Sequence, residues 1–182
     1  MKKIIFILLI LVSTLSVAQN PYGFEDIIKV DSLSKDEIYD LARIWFTETF
    51  VSANNVLQIQ DKEAGQLIGR GSIGYTSATF MANEAVNGNI SFLVKIFVKD
   101  GRFKYIITDF NHKGTPSKYC SSGVNFGIIT EQSESPIISR GNPAGWHNKQ
   151  WEKMKHESAV VAASLIRSMK EKIKKDKLQN DW

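Results

Sequence analysis

The sequence predicts an α+β domain in which a curved antiparallel sheet carries helices on one face. Three observations lead there. A capping box opens an amphipathic helix early in the chain, alternating segments with tight-turn signals fill the middle, and a long apolar stripe at helical spacing closes it. Runs of strands bounded by helices mark α+β architecture, whereas strict strand–helix alternation would mark a parallel sheet. Composition agrees, since 43% of the 182 residues are hydrophobic, 23% charged and 10% aromatic, with 12 Gly and 4 Pro. These are globular proportions, and they exclude disordered, collagen-like and low-complexity classes. The length suits a single domain.

The fold begins after a leader. Residues Met1 to Ala18 read as a secretory signal peptide: Lys2 and Lys3 form a basic start, Ile4 to Val12 is an unbroken apolar run, and Ser16-Val17-Ala18 supplies small residues before Gln19. The apolar run is shorter than the roughly 20 residues of a membrane span. No cysteine follows it, so no lipoprotein anchor is expected. The expected mature protein is therefore exported, periplasmic or secreted, with one domain over 19–178 and a frayed end at 179–182. Without Lys2 and Lys3 the formal net charge falls from +4 to +2, and Lys149–Trp182 alone holds 9 basic against 5 acidic residues. A nucleic-acid binder should carry its basic charge on a face within the fold. A tail excess on an exported chain gives no reason to expect nucleic acid as a partner.

Each element has its own cause. Phe24 to Val30 is a short first strand. Ser34-Lys35-Asp36-Glu37 is the capping box, because the Ser34 hydroxyl can accept from the Glu37 amide while the Glu37 carboxylate reaches back. The helix it opens runs to about Phe50, with Ile38, Leu41, Ala42 and Trp45 on one face, and Asn54-Asn55 follows as a breaker. Val56 to Gln60 alternates as a strand, Asp61 to Gly65 turns, and Gln66 resumes a strand to roughly Phe80. Its glycines, Gly69, Gly71 and Gly74, suggest a bulge or a close approach by another element. Asn89 to Val98 and Phe103 to Phe110 flank Lys99-Asp100-Gly101-Arg102, where Asp-Gly signals a tight hairpin. Ile90, Phe92, Val94 and Ile96 share one face, while Leu93 and Phe97 partly cover the other. Residues His112 to Trp146 carry no sustained period and read as an irregular excursion with an edge strand near Pro136–Ser139. Asn148 to about Lys177 is a long helix, with Trp151, Met154, Ser158, Val161, Leu165, Met169 and Ile173 as its stripe and Val160 and Ile166 widening it.

Three stretches together resemble an uncharacterised bacterial family, the domain of unknown function 4468 with a TATA-binding-protein-like fold. They are the leader, then Leu33-Ser34-Lys35-Asp36-Glu37-Ile38-Tyr39 with Trp45-Phe46, then Asp61-Lys62-Glu63-Ala64-Gly65 leading to Gly69-Arg70-Gly71. The resemblance spans mainly residues 28 to 110. It implies a strand–helix–multistrand–helix unit like one half of the TATA-binding protein, and an exported protein of a kind common in Bacteroidetes. It implies no activity and no catalytic residues, because sites and not folds carry function.

Candidate chemistry is sparse. Gly69-Arg70-Gly71-Ser72-Ile73-Gly74 matches G-x-G-x-x-G, but a dinucleotide site needs a helix after it, and Tyr75-Thr76-Ser77 favours continued strand. No cofactor is expected. A zinc-protease H-E-x-x-H is absent, and Glu152 with His156 reads as an i,i+4 surface pair, with no metal site. The single cysteine, Cys120, excludes an internal disulfide framework and has only His112 nearby in sequence as a base. The Lys-rich end from Lys170 to Lys177 suits the helix dipole, and could also touch an anionic lipid or glycan. Trp146, His147 and Trp151 cluster where the excursion meets the last helix and are the candidate binding residues, set against a plainer role in sealing the core. The expected function is a non-enzymatic binding or accessory domain of the cell envelope, with concave sheet and Trp junction recognising a protein or polymer. An alternative is a carrier for a small apolar ligand enclosed between sheet and last helix. A third is a hydrolase assembled from His112, Cys120 and an acid.

Overall fold

The computed structural model describes residues 20–50, 56–77, 84–118, 120–138 and 143–175. The predicted leader, the breaker at Asn54-Asn55 and the frayed end lie outside these residues. Elements follow in the order β1 (Phe24–Lys29), α1 (Lys35–Thr49), β2 (Leu57–Asp61), β3 (Gln66–Tyr75), β4 (Gly88–Lys99), β5 (Arg102–Gly114), β6 (Gly127–Ile128) and α2 (Ala144–Lys175). All strand pairs are antiparallel in the sheet order β1-β5-β4-β3-β2, and β6 pairs with β5 beyond the end of β1.

The capping box forms as the sequence implies. The Ser34 amide donates to the Glu37 carboxylate at 2.8 Å and the Glu37 amide to the Ser34 hydroxyl at 3.4 Å. A long-range contact strengthens it: the Asp100 carboxylate, in the β4–β5 turn, accepts from the Lys35 amide at 2.8 Å. That places a negative charge on the free N–H groups of α1 and ties the helix start to the hairpin. α1 buries Ile38, Tyr39, Ala42, Trp45 and Phe46. Beside it, α2 buries Trp151, Met154, Ser158, Ala162, Leu165, Met169 and Ile173, and the Trp45 indole donates to the Ser168 hydroxyl across the two helices at 2.9 Å. Both helices cover one face of the sheet, meeting Leu67, Ile90, Phe92, Val94, Ile96, Val98, Phe103 and Ile107 in one cluster. The seam between sheet and α2, considered above as a ligand cavity, is occupied by these side chains.

Five expectations need correction. β5 does not stop at Phe110 but runs to Gly114, carrying His112 out of the excursion and into the sheet. A bulge causes this: Asp109 adopts φ 57°, and the β4 partners jump from Leu93↔Thr108 to Ser91↔Asn111. Two residues then oppose Phe92, so the apolar alternation breaks at Phe110, where the sequence pattern alone ends the strand. The excursion's short strand is Gly127–Ile128, and Pro136–Ile138 is not strand. α2 begins at Ala144 rather than Asn148, because Pro143 pre-sets its entry and its carbonyl accepts from the Trp146 amide at 3.0 Å. Val160 is 55% exposed, so it does not widen the buried stripe. β3 ends at Tyr75, and the stretch predicted to continue to Phe80 passes outside the described residues.

Candidate functional site

The glycine motif is explained by aromatic rings. A Cβ on Gly69 would stand 2.7 Å from the Phe46 ring, and one on Gly71 2.5 Å from the Phe92 ring. Both lie in mid-strand, where no helix N-terminus follows to receive a phosphate.

His112 and Cys120 do not work as a pair. The Phe126 amide donates to His112 Nδ1 at 3.3 Å, so Nε2 carries the proton and donates to the Val86 carbonyl at 2.9 Å. Both ring nitrogens are thus committed to backbone, and the ring is fully buried. Cys120 lies in the excursion with Sγ 3.4 Å from the Gly123 carbonyl. Glu152 pairs with Lys155 at 2.9 Å instead of with His156, which is exposed. Among the described residues no cluster of three His, Cys, Asp or Glu side chains could hold a metal.

Burial holds the His112 pKa below the ordinary imidazole value, with the Val86 hydrogen bond acting the other way. Between that lowered value and about 6.5 the unfolded chain binds a proton that the folded one resists, so stability falls with falling pH. Urea unfolding at pH 7.5 and pH 5.5 is expected to show a less stable protein at the lower pH. The difference should shrink in His112→Gln, and an unchanged difference would remove His112 as its source.

The tryptophan junction is a seal. Trp151 is fully buried, stacks on Phe126 with ring centroids 6.4 Å apart, and donates its indole N–H to the Gln132 carbonyl at 2.9 Å. His147 is also fully buried, with Nδ1 3.1 Å from the Pro143 carbonyl and its ring 4.8 Å from Trp146. Trp146 alone of the three is half-exposed. The structure brings the predicted trio together around Phe126, but two of its members have no surface to offer.

The opposite face of the sheet carries no helix among the described residues, and its side chains follow from the register. Open-face positions include Ile59 and Asp61 on β2; Ile68, Arg70 and Ser72 on β3; and Asn89, Ser91, Leu93, Lys95, Phe97 and Lys99 on β4. β5 contributes Arg102, Lys104, Ile106 and Thr108 before the bulge and Asn111 and Lys113 after it, while β1 adds Glu25, Ile27 and Lys29. Seven cations (Lys29, Arg70, Lys95, Lys99, Arg102, Lys104 and Lys113) thus share the face with two carboxylates, Glu25 and Asp61, at its edges. Lys104 meets Glu25 at 3.0 Å, an exposed pair of small energetic weight. Between the cations stand half-exposed Leu93 and Phe97, with Ile59 44% and Ile27 57% exposed. Beyond the bulge the face opens into a groove of about 450 Å³ lined by Asn89, Ser91, Asn111, Lys113 and Thr115. Sequence reasoning followed the buried alternation of these strands. The cations occupied the complementary alternation, which held the signal for this face.

Among the described residues, six antiparallel strands carry two helices on one face and none on the other, an α+β protein of TATA-binding-protein-like fold. Residues 24–113 match the family described as "Domain of unknown function (DUF4468) with TBP-like fold". The chain is similar in fold to a TBP-like protein from Parabacteroides distasonis ATCC 8503, with TM-score 0.55, 11% identity, and 82% of this chain and 93% of that chain covered. It is also similar to a DUF4468 family protein from Bacteroides ovatus ATCC 8483, with TM-score 0.48, 14% identity, and 80% and 86% covered. Comparison with curated proteins finds no match.

Proposed function

We propose that this protein is an exported binding domain of the bacterial cell envelope, and that it docks an acidic partner on its open sheet face rather than catalysing a reaction. The observation that carries the reading is the seven-to-two excess of cations over carboxylates on a face that carries no helix among the described residues and is interleaved with half-exposed apolar side chains. Complementary charge steers and orients a partner, and the apolar positions add area that loses water on contact. Export rests on the leader-like segment Met1 to Ala18. The Lys-rich stretch of α2 stands on the other side of the molecule and offers a built-in comparison.

The test is binding of the purified protein to immobilised poly-L-glutamate at low ionic strength. Arg70→Glu with Lys95→Glu is expected to weaken binding by about tenfold or more. Reversing two exposed helix lysines, Lys149→Glu with Lys174→Glu, is expected to change it little. Both double variants should keep their thermal midpoint, since Arg70, Lys149 and Lys174 are exposed and Lys95 is half-exposed, and surface substitutions of this kind stay within about 0.5 kcal/mol. Equal losses in the two would show that net charge and not the face is responsible, and the reading would fall.

A further inference from the structure

We infer that the acidic partner is a polysaccharide bearing carboxylates, and that the groove beyond the β5 bulge holds one of its sugar units. This rests on the open sheet face being the docking surface. Register places Asn89 opposite Lys113 and Ser91 opposite Asn111, so two amides, a hydroxyl and an ammonium converge on one patch of sheet. No hydrogen bond within the described residues engages the side chains of Asn89, Asn111 or Lys113, and the Ser91 hydroxyl reaches only the Asn111 carbonyl at 3.5 Å.

The chemistry of that set is selective. An amide offers two donors and an acceptor, and a hydroxyl offers one donor and acceptor lone pairs. Together they match the mixed donors and acceptors of neighbouring sugar hydroxyls, while Lys113 matches a carboxylate. An acidic polypeptide presents side-chain carboxylates that only accept, and its donors are spaced backbone N–H groups in place of hydroxyls on adjacent ring carbons. The bases of a single-stranded nucleic acid would stack on an aromatic platform, and no aromatic residue lines the groove. The groove volume of about 450 Å³ is in the range of small-molecule sites. Its place also has a cause. The bulge at Asp109 bends β5 next to Asn111, and beside Asn89 the β3 partner is Gly74, where even a Cβ would meet nothing within 4 Å. The floor is therefore open on one side and curved on the other. From the groove the cations Arg70, Lys95 and Lys104 continue across the face, where further carboxylates of a chain would lie.

Isothermal titration calorimetry with three probes tests this: oligogalacturonate, poly-L-glutamate of matched charge, and neutral dextran. Oligogalacturonate is expected to bind at least about tenfold tighter than poly-L-glutamate, with dextran weakest. Asn89→Ala with Asn111→Ala is expected to lose about tenfold for oligogalacturonate and nothing for poly-L-glutamate. If poly-L-glutamate binds as tightly, or the amide pair is without effect on the glycan, the polysaccharide inference fails while the docking face stands. If dextran equals oligogalacturonate, the carboxylate requirement fails. If no probe binds and Arg70→Glu with Lys95→Glu changes nothing, the docking face itself fails.

Discussion

Trp151→Ala is expected to destabilise the protein by about 3–5 kcal/mol, the cost of deleting a large buried aromatic side chain. The indole is fully buried, stacks on Phe126 and donates to the Gln132 carbonyl. Truncation would empty the space between α2 and the excursion and leave the Gln132 carbonyl to Lys155 alone, at 3.2 Å. Trp151→Phe should keep the stacking and give up the hydrogen bond, for a smaller loss of about 1–3 kcal/mol. Urea unfolding followed by circular dichroism separates the three proteins. A loss below about 1 kcal/mol in the alanine variant would mean that the junction is not a seal. The same measurement bears on function, since any partner binding lost in Trp151→Ala would come through unfolding and not through a missing contact.

The second large effect distinguishes glycines that look equivalent in sequence. Gly71→Ala would drive a methyl group against the ring of Phe92, itself fully buried. Overpacking of this kind costs about 1–3 kcal/mol. Gly74 lies three residues on, on the open face with empty space around it, and Gly74→Ala should be neutral or stabilising by about 0.4–1 kcal/mol through the unfolded chain. Thermal melts should show a lowered midpoint for Gly71→Ala and an unchanged or raised one for Gly74→Ala. A phosphate-binding loop would give another pattern, in which substitution spares folding and damages only ligand binding. If Gly71→Ala melts with the parent protein, the aromatic-shelf explanation is wrong.

Much of this architecture was legible because its signals are local. Ser34 and Glu37 announce α1 within four residues, and Asp100-Gly101 announces the β4–β5 hairpin, with Gly101 at φ 70°. The features that escaped depend on partners far away in sequence. His112 belongs to β5 only because a bulge shifts the alternation, and a bulge is defined by what opposes it on β4. The start of α2 was hidden by Gly145, although Pro143 marks it in hindsight. For the candidate site, the aromatic cluster was found and its meaning was not: spacing places Trp146, His147 and Trp151 together, but which of them faces water depends on Phe126 and the Gln132 carbonyl. The open face shows the reverse case. Every one of its cations was visible, but which strand positions share a face across β3, β4 and β5 follows from pairing register, and register follows from the whole core.

The β5 bulge also sets how the strand can tolerate a change of length. Before Asp109 the odd-numbered residues Phe103, Tyr105 and Ile107 face the helices, and after it the even-numbered Phe110 and His112 do. The strand therefore changes parity at one residue, while β4 keeps even numbers inward from Ile90 to Val98. Losing Asp109 would straighten the count and leave each remaining side chain on its present side. Losing Thr108 or Asn111 with the bulge kept would put the residues beyond out of phase, turning Lys113 inward and His112 out to water. One residue thus serves as the strand's spare count, the place where a length change alters the curvature of the groove without exchanging the core for the surface.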